Sequence, residues 1–284
     1  MAAAASTLFS LSFPTEPQIP TLSPPSRFLP LPKPTLKRSS SVHSHSHSSL
    51  TLGADDPIHT GRFLSDDERR RLHALESFLY CRDLSSGSLS VRVMRPHQIH
   101  LAVRLLADSF ADSLLLPAAY ATFLGYLISR YLTHRATLMP HAATLLAFFT
   151  AHDQILFAGT VELSFDKAGA NASVPAPAPP ADAPYISNMA VDKSLRRRGI
   201  GWHLLKASEE LISQMSASRE VYLHCRIIDE APFNMYTKAD YKVVKTDSIL
   251  ALLMLQRRKH LMCKKLPPLI TPSETDPDPS VSDA

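Results

Sequence analysis

Hydrophobic and polar residues follow two different periods along residues 185–215. Residues 185–191, YISNMAV, form a short apolar segment of the kind that becomes a buried strand. From about Gly201 the apolar residues follow helical spacing on one face, at Leu204, Leu205, Leu211, Ile212 and Met215. The intervening turn at 196–201, RRRGIG, is basic and rich in glycine. Because a glycine turn that opens a helix leaves backbone N–H groups unpaired, this stretch predicts a site for a phosphate or pyrophosphate.

Periodicity in the rest of the chain predicts the elements around this stretch. They are strands at 90–94, 144–152, 154–165, 220–227, 241–245 and 249–255, and helices at 97–110, 118–133 and 231–239. The resulting order, β-α-α-β-β-β-α-β-α-β-β, predicts a mixed α/β sheet rather than a doubly wound fold. Residues 168–184, AGANASVPAPAPPADAP, contain too much proline for a central strand or a helix and predict a surface loop.

Both ends of the chain differ in composition from this folded part. Residues 1–54 are rich in Ser, Pro and Leu and have Glu16 as their one acid, which is typical of an organelle transit peptide. The Met-Ala start and few arginines favour import into the chloroplast stroma; a disordered N-terminus is the alternative. The expected organisation continues with a partly helical extension at 55–88, a folded domain at 89–262 and a disordered acidic tail at 263–284.

Composition limits the classes of function. The net charge of +4 falls to +1 without residues 1–54, so the folded part carries no basic footprint for nucleic acid. The cysteines Cys81, Cys225 and Cys263 contain no C-x-x-C pair, so neither a disulfide framework nor a metal site is expected. The longest apolar stretch, 114–128, is broken by Pro117 and is shorter than the roughly 18 residues of a membrane span.

Two blocks of sequence resemble the GNAT superfamily of acetyl-coenzyme A-dependent N-acetyltransferases, over roughly residues 89–255. The turn matches the family signature as Arg196-x-x-Gly199-x-Gly201, just after a strand and opening a helix. The second block, residues 229–241 (DEAPFNMYTKADY), matches a tyrosine-containing helix that precedes an aromatic strand start. The transit-like N-terminus and long proline loop look like the plastid branch. Asp229 stands where the family often has Asn, and Asp240 where it has Gly.

The resemblance implies a fold and a co-substrate. The fold is a mixed, mostly antiparallel twisted sheet, flanked by helices, with a parallel and splayed central strand pair. The co-substrate is acetyl-coenzyme A, whose pyrophosphate lies on the basic turn and whose thioester carbonyl meets an N–H near Val191. The coenzyme-binding residues so implied are Met189, Ala190, Val191, Arg196, Arg197, Arg198, Gly199, Ile200, Gly201, Trp202, Asp229 and Glu230.

The implied reaction is direct attack of a neutral amine on the thioester in a ternary complex. Tyr236 is the expected general acid, because a phenol with a pKa near 10 keeps its proton at neutral pH. Glu162 and His224, each in a predicted strand, are candidates for the base or for holding a water that acts as one. For all three side chains, a packed structural role is the alternative.

Three hypotheses for the function follow. The leading one is a plastid enzyme whose partners are proteins or peptides, acetylated at N-terminal α-amino groups and lysine ε-amino groups. The second is acetylation of a small amine, such as an arylalkylamine, polyamine or amino acid. The third is a catalytically silent coenzyme-binding or scaffold domain. Nucleic acid is not expected as a partner, and no membrane span is expected.

Overall fold

The computed structural model of the chain describes residues 64–114, 120–171, 176–248 and 257–267. The strands in these ranges are β1 Leu79–Leu84, β2 Gly87–Val93, β3 Ala142–Ala151, β4 Gln154–Ser164, β5 Tyr185–Val191, β6 Glu220–Arg226, β7 Lys242–Thr246 and β8 Lys259–Lys265. The α-helices are α1 Asp66–Ser77, α2 Ile99–Leu114, α3 Tyr120–Thr137, α4 Ile200–Met215 and α5 Glu230–Lys238.

The eight strands form one sheet in the order β1-β2-β3-β4-β5-β6-β8-β7. Its neighbouring strands are antiparallel except β5 and β6, which pair in parallel at Tyr185 with Tyr222 and at Ile186 with Leu223. Since both strands continue well past these two pairs, they separate toward their carboxyl ends. The mixed, mostly antiparallel sheet with one splayed parallel pair confirms the predicted fold.

Helices cover both faces of this sheet. On one face α2 and α3 share a buried apolar cluster with Leu146, Phe148 and Ala190. On the other face α4 lies so close to β4 that a Cβ on Gly159 would meet Leu204 Cδ1 at 2.8 Å and the Ala190 carbonyl oxygen at 2.7 Å. Glycine at this position therefore allows the close packing of α4 that fixes the helix against the end of β5.

The sheet extends beyond both predicted domain boundaries. β1 pairs with β2 along its whole length, although residues 55–88 were expected to lie outside the domain. Tyr80 is its one buried residue, so this edge strand shows no alternation of apolar residues. β8 includes residues 263–265, which were expected to begin the tail, and it pairs with both β6 and β7. This strand was not predicted, because lysines flank its buried residues Leu261 and Met262 and the apolar pattern is short.

The predicted strand at 249–255, the transit peptide at 1–54 and the tail from residue 268 onward lie outside the described residues. Among the residues that are described, no helix has both the length and the hydropathy of a membrane span.

Candidate active site

A cleft of about 610 Å³ opens where β5 ends, between the turn that follows it and α5. Nine of the residues expected from the sequence line it: Met189, Val191, Arg196, Arg197, Gly199, Ile200, Gly201, Trp202 and Tyr236. Six further lining residues come from the turn and from α5: Leu195, Ala231, Pro232, Asn234, Met235 and Lys238. The cleft therefore joins the two blocks of sequence that were singled out separately.

The turn before α4 depends on two residues with left-handed backbones. Arg197 has a φ of 66° and Gly199, which caps α4, a φ of 83°. Arg196 Nε donates a hydrogen bond to the Val191 carbonyl oxygen at 3.1 Å and so ties the turn to the end of β5. The first N–H groups of α4 have no acceptor within the helix, and they begin at the cleft wall.

Positive charge is distributed unevenly around this wall. Arg198 lies on the other side of the turn, with its guanidinium carbon 5.6 Å from the centre of the Phe149 ring, and does not line the cleft. Two lysines contact the Trp202 ring, with Lys206 Nζ 4.8 Å and Lys238 Nζ 5.8 Å from its centre. The cationic residues that line the cleft are thus Arg196, Arg197 and Lys238.

A β-bulge near the end of β5 orients the strand against the cleft. The register with β4 shifts between the pairs Glu162–Ser187 and Thr160–Ala190, and Asn188 has a φ of 47°. Met189 and Val191 line the cleft, whereas Ala190 packs into the apolar cluster under α2 and α3. Of the three expected contacts in β5, the side chain of Ala190 is therefore the one that faces away.

Tyr236 lies in α5 at the cleft, with 4% of its surface exposed. Its ring makes an edge contact with Tyr241 at 6.0 Å between centres. Burial, with smaller contributions from Cys225 and Asp229, raises the pKa of the Tyr236 hydroxyl above its usual value. The hydroxyl therefore keeps its proton at physiological pH, as a proton donor must.

Asp229 and Glu230 do not line the cleft. The buried Arg226 holds the Asp229 carboxylate through two hydrogen bonds, of 2.7 Å and 3.2 Å. Asp229 caps α5 with its backbone but makes no side-chain bond to the helix. The acid that replaces the family's usual Asn is thus paired with Arg226 at the end of β6, and Glu230 is exposed at the start of the helix.

Glu162 is fully buried in β4 beneath α3. Its two carboxylate oxygens accept hydrogen bonds from Tyr131 at 2.7 Å and from Asn188 at 2.9 Å. The guanidinium of Arg135 pairs with the same carboxylate, with 3.6 Å between Nε and Oε2. Burial raises the pKa of Glu162 above its usual value, and these three partners oppose part of that effect.

His224 is also fully buried, on β6 one residue beyond the last pair with β5. Its Nδ1 lies 2.6 Å from the Tyr185 hydroxyl, and its Nε2 lies 3.0 Å from the carbonyl oxygen of Pro177. Burial lowers the pKa of His224 to about 4, so the imidazole is neutral at physiological pH. Neither His224 nor Glu162 lines the cleft.

Comparison with known proteins identifies the family. The acetyltransferase (GNAT) family profile matches residues 117–241. GCN5-related N-acetyltransferase 5, chloroplastic, from Arabidopsis thaliana is 57% identical over 226 residues, which cover 76% of this chain and 71% of that protein. The chain belongs to the GNAT family. It is an acetyltransferase.

Two more distant similarities accompany this GNAT match. An N-alpha-acetyltransferase from Sulfurisphaera tokodaii is 36% identical over 61 residues, which cover 22% of this chain and 36% of that protein. The structure of a GNAT acetyltransferase from Streptococcus pneumoniae aligns with a TM-score of 0.43 and 17% identity, over 63% of this chain and 99% of that one.

Two groups of residues around the GNAT cleft were not predicted from the sequence: the six further lining residues and the partners of the two buried candidates. Tyr185 and Pro177 bond His224, and Tyr131, Asn188 and Arg135 bond Glu162. No local pattern marks these partners, because each lies far along the chain from its partner and one of them acts through a backbone carbonyl.

Within the described ranges, no group of three or more His, Cys, Asp or Glu side chains is arranged to hold a metal ion.

Proposed function

We propose that this GNAT enzyme transfers the acetyl group of acetyl-coenzyme A to protein amines in the plastid stroma. The acceptors are N-terminal α-amino groups and lysine ε-amino groups. One observation carries the proposal. The same cleft is lined by the basic turn at the start of α4 and by the buried Tyr236.

The cleft fits acetyl-coenzyme A in size and in chemistry. Its volume of about 610 Å³ lies within the range of small-molecule sites, roughly 300–1,000 Å³. The start of α4 offers N–H groups and the positive end of the helix dipole to a pyrophosphate, and Arg196 and Arg197 add charge. A Cβ on Gly201 would lie 3.5 Å from Met235 Sδ and 3.7 Å from Val191 Cγ2, so a larger side chain would fill this part of the cleft.

The residues of β5 and α5 supply the chemistry. The backbone of Met189, Ala190 and Val191 would hold the pantetheine arm, with an N–H near Val191 stabilising the oxyanion. A neutral amine attacks the thioester carbonyl, the carbon–nitrogen bond forms, and the carbon–sulfur bond breaks. Tyr236 gives its proton to the departing thiolate. An α-amino group, with a pKa near 8, needs less help to lose a proton than a lysine, with a pKa near 10.4.

Protein acceptors and the plastid are favoured by the relatives and by composition. The Arabidopsis relative is named as chloroplastic, and the Sulfurisphaera relative as an N-alpha-acetyltransferase. The first 54 residues of this chain have the composition of a transit peptide. Acetylation of small amines is the second candidate, since the proline-rich loop flanks the acceptor side and would restrict entry of a peptide.

A mass-spectrometric assay of the recombinant full chain tests this function. It uses isotopically labelled acetyl-coenzyme A with peptides that have a free N-terminus, blocked peptides with one lysine, and a panel of small amines. We expect label on both classes of peptide. Label on small amines alone would replace the protein substrate, and coenzyme binding without any transfer would favour a silent binding domain.

A further inference from the structure

Lys238 is a cationic residue of the cleft to which the function proposed above gives no role. It lies in the last turn of α5, whereas Arg196 and Arg197 line the cleft from the turn before α4. Tyr236, two residues before Lys238, is turned about 200° from it around the helix axis. Tyr236 is 4% exposed, and Lys238 is exposed. Tyr236 therefore lies at the buried end of the cleft and Lys238 at its solvent edge.

The Trp202 side chain lines the cleft beside Lys238. The centre of its ring is 5.8 Å from Lys238 Nζ and 4.8 Å from Lys206 Nζ. Lys206 is about one helical turn farther along α4, so the ring extends past the start of that helix. The attraction between a cation and the face of an aromatic ring holds the Lys238 ammonium group at this edge of the cleft.

The two lysines at the Trp202 ring differ in their partners. Lys206 Nζ donates a hydrogen bond of 3.0 Å to the Glu209 carboxylate, which also accepts one of 2.8 Å from Lys264. Neither Lys206 nor Lys264 lines the cleft. Within the described ranges, Lys238 forms no ion pair with a carboxylate. The charge of Lys238 is therefore available to a ligand.

Coenzyme A presents two separate anionic groups to a protein. One is its pyrophosphate, and the other is its ribose 3′-phosphate, a phosphate monoester with about 1.5 to 2 negative charges at neutral pH. The first N–H groups of α4, with Arg196 and Arg197, match the pyrophosphate. The 3′-phosphate is attached to the ribose, beyond the pyrophosphate as seen from the pantetheine arm. It requires another cation, past the start of α4, and Lys238 is the remaining cationic residue of the lining.

We propose that Lys238, held by the Trp202 ring, binds the 3′-phosphate of the coenzyme and makes the enzyme selective for 3′-phosphorylated donors. The proposal rests on the use of acetyl-coenzyme A proposed above. The order of groups along the ligand then follows the cleft: the thioester at β5 and Tyr236, the pyrophosphate at the start of α4, and the 3′-phosphate at the solvent edge. Because this edge is remote from the reacting carbonyl, Lys238 contributes to binding and not to turnover.

Calorimetry with two commercial ligands tests the selectivity of the full chain. Coenzyme A and 3′-dephospho-coenzyme A differ by this one phosphate. We expect the wild-type chain to bind coenzyme A about 10-fold more tightly, the usual effect of a hydrogen bond between charged groups. Lys238→Met should reduce the preference to about twofold or less by raising the Kd for coenzyme A alone. Lys238→Arg, which keeps the charge, should retain most of it.

Two further variants separate this effect from a general change in charge. Arg197→Met removes a cation assigned to the pyrophosphate, so it should raise the Kd values of both ligands by a similar factor and leave their ratio unchanged. Lys245→Met is the matched control, because Lys245 is exposed on β7 and does not line the cleft. Both Kd values should then stay within about twofold of those of the wild type.

Salt dependence and kinetics provide independent readouts. Because Lys238 is exposed, the preference for coenzyme A should shrink between 50 mM and 500 mM NaCl, as screening weakens the contact. In acetyl transfer to the peptides, Lys238→Met should raise the KM for acetyl-coenzyme A by about the same factor as the Kd, with kcat within about twofold.

Two results would overturn the assignment of Lys238. One is a wild-type chain that binds both ligands equally, and the other is a Lys238→Met chain in which both Kd values rise together. A chain that prefers coenzyme A through Lys238 but acetylates no amine would support the phosphate site and contradict the proposed function. A chain that binds neither ligand would contradict both.

Discussion

We call the cleft the coenzyme side, and the buried surroundings of Glu162 and His224 the acceptor side, after the roles proposed for them. The two regions are built in different ways. On the coenzyme side, glycines, backbone N–H groups and apolar side chains surround an open cleft. On the acceptor side, Glu162 and His224 are fully buried and bonded to partners from α3, β5 and the loop. A site that must bind a ligand leaves donors unpaired, whereas buried polar groups are costly unless they are paired. The contrast indicates that the polar groups of the acceptor side are satisfied by protein partners, whereas those of the cleft remain available to a ligand.

Tyr236 lines the cleft, and its replacement tests whether the coenzyme side also performs chemistry. Tyr236→Phe should lower the rate of acetyl transfer by at least about 100-fold, because the thiolate then leaves without a proton donor. The affinity for acetyl-coenzyme A should remain, since the ring that lines the cleft is kept. Single-turnover kinetics and calorimetry measure the two quantities separately.

The matched control for this substitution is Tyr120→Phe, because Tyr120 is exposed on α3. It should transfer acetyl at the wild-type rate. A Tyr236→Phe enzyme with normal turnover would remove the assignment of the general acid.

The buried network on the acceptor side predicts a large loss of stability when one partner is removed. Arg135→Met leaves the Glu162 carboxylate buried and unpaired, and it deletes bonds to the Leu163 and Ser164 oxygens. The free energy of unfolding should fall by about 3–5 kcal/mol, the usual result of breaking a buried ion pair. Urea denaturation of the full chain measures the change.

The same substitution at an exposed position provides the comparison. Arg130→Met, on the same helix but exposed, should change the free energy of unfolding by no more than about 0.5 kcal/mol. Adding Glu162→Gln to Arg135→Met should recover part of the loss, because the unpaired charge is gone. Equal losses for Arg130→Met and Arg135→Met would show that the network contributes little.

The difference between the two sides also explains what the sequence could predict. The turn from Arg196 to Gly201 and the helix with Tyr236 are local patterns, so the residues of the cleft followed from short stretches of chain. Tyr185 and Pro177 lie 39 and 47 positions from His224 in the sequence, and no local sequence pattern predicts either contact. Along the sheet, strands with alternating apolar residues were predicted. The edge strand β1, with one buried side chain, was not.

The end of α5 offers the smallest test, on the coenzyme side. Asp240 has a φ of 70°, and hydrogen bonds from Asp240 N to Thr237 O and from Tyr241 N to Tyr236 O, both 3.0 Å, close a Schellman motif there. Asp240→Gly relieves about 1–2 kcal/mol of left-handed strain and costs about 0.4–1 kcal/mol in unfolded-state entropy. The free energy of unfolding should therefore rise by about 0.5–1 kcal/mol, with acetyl transfer unchanged.

The control is Ala239→Gly, because Ala239 has a φ of −87° and no left-handed strain to relieve. This variant should have a lower free energy of unfolding than the wild type. A lower free energy of unfolding in both variants would contradict the strain at Asp240.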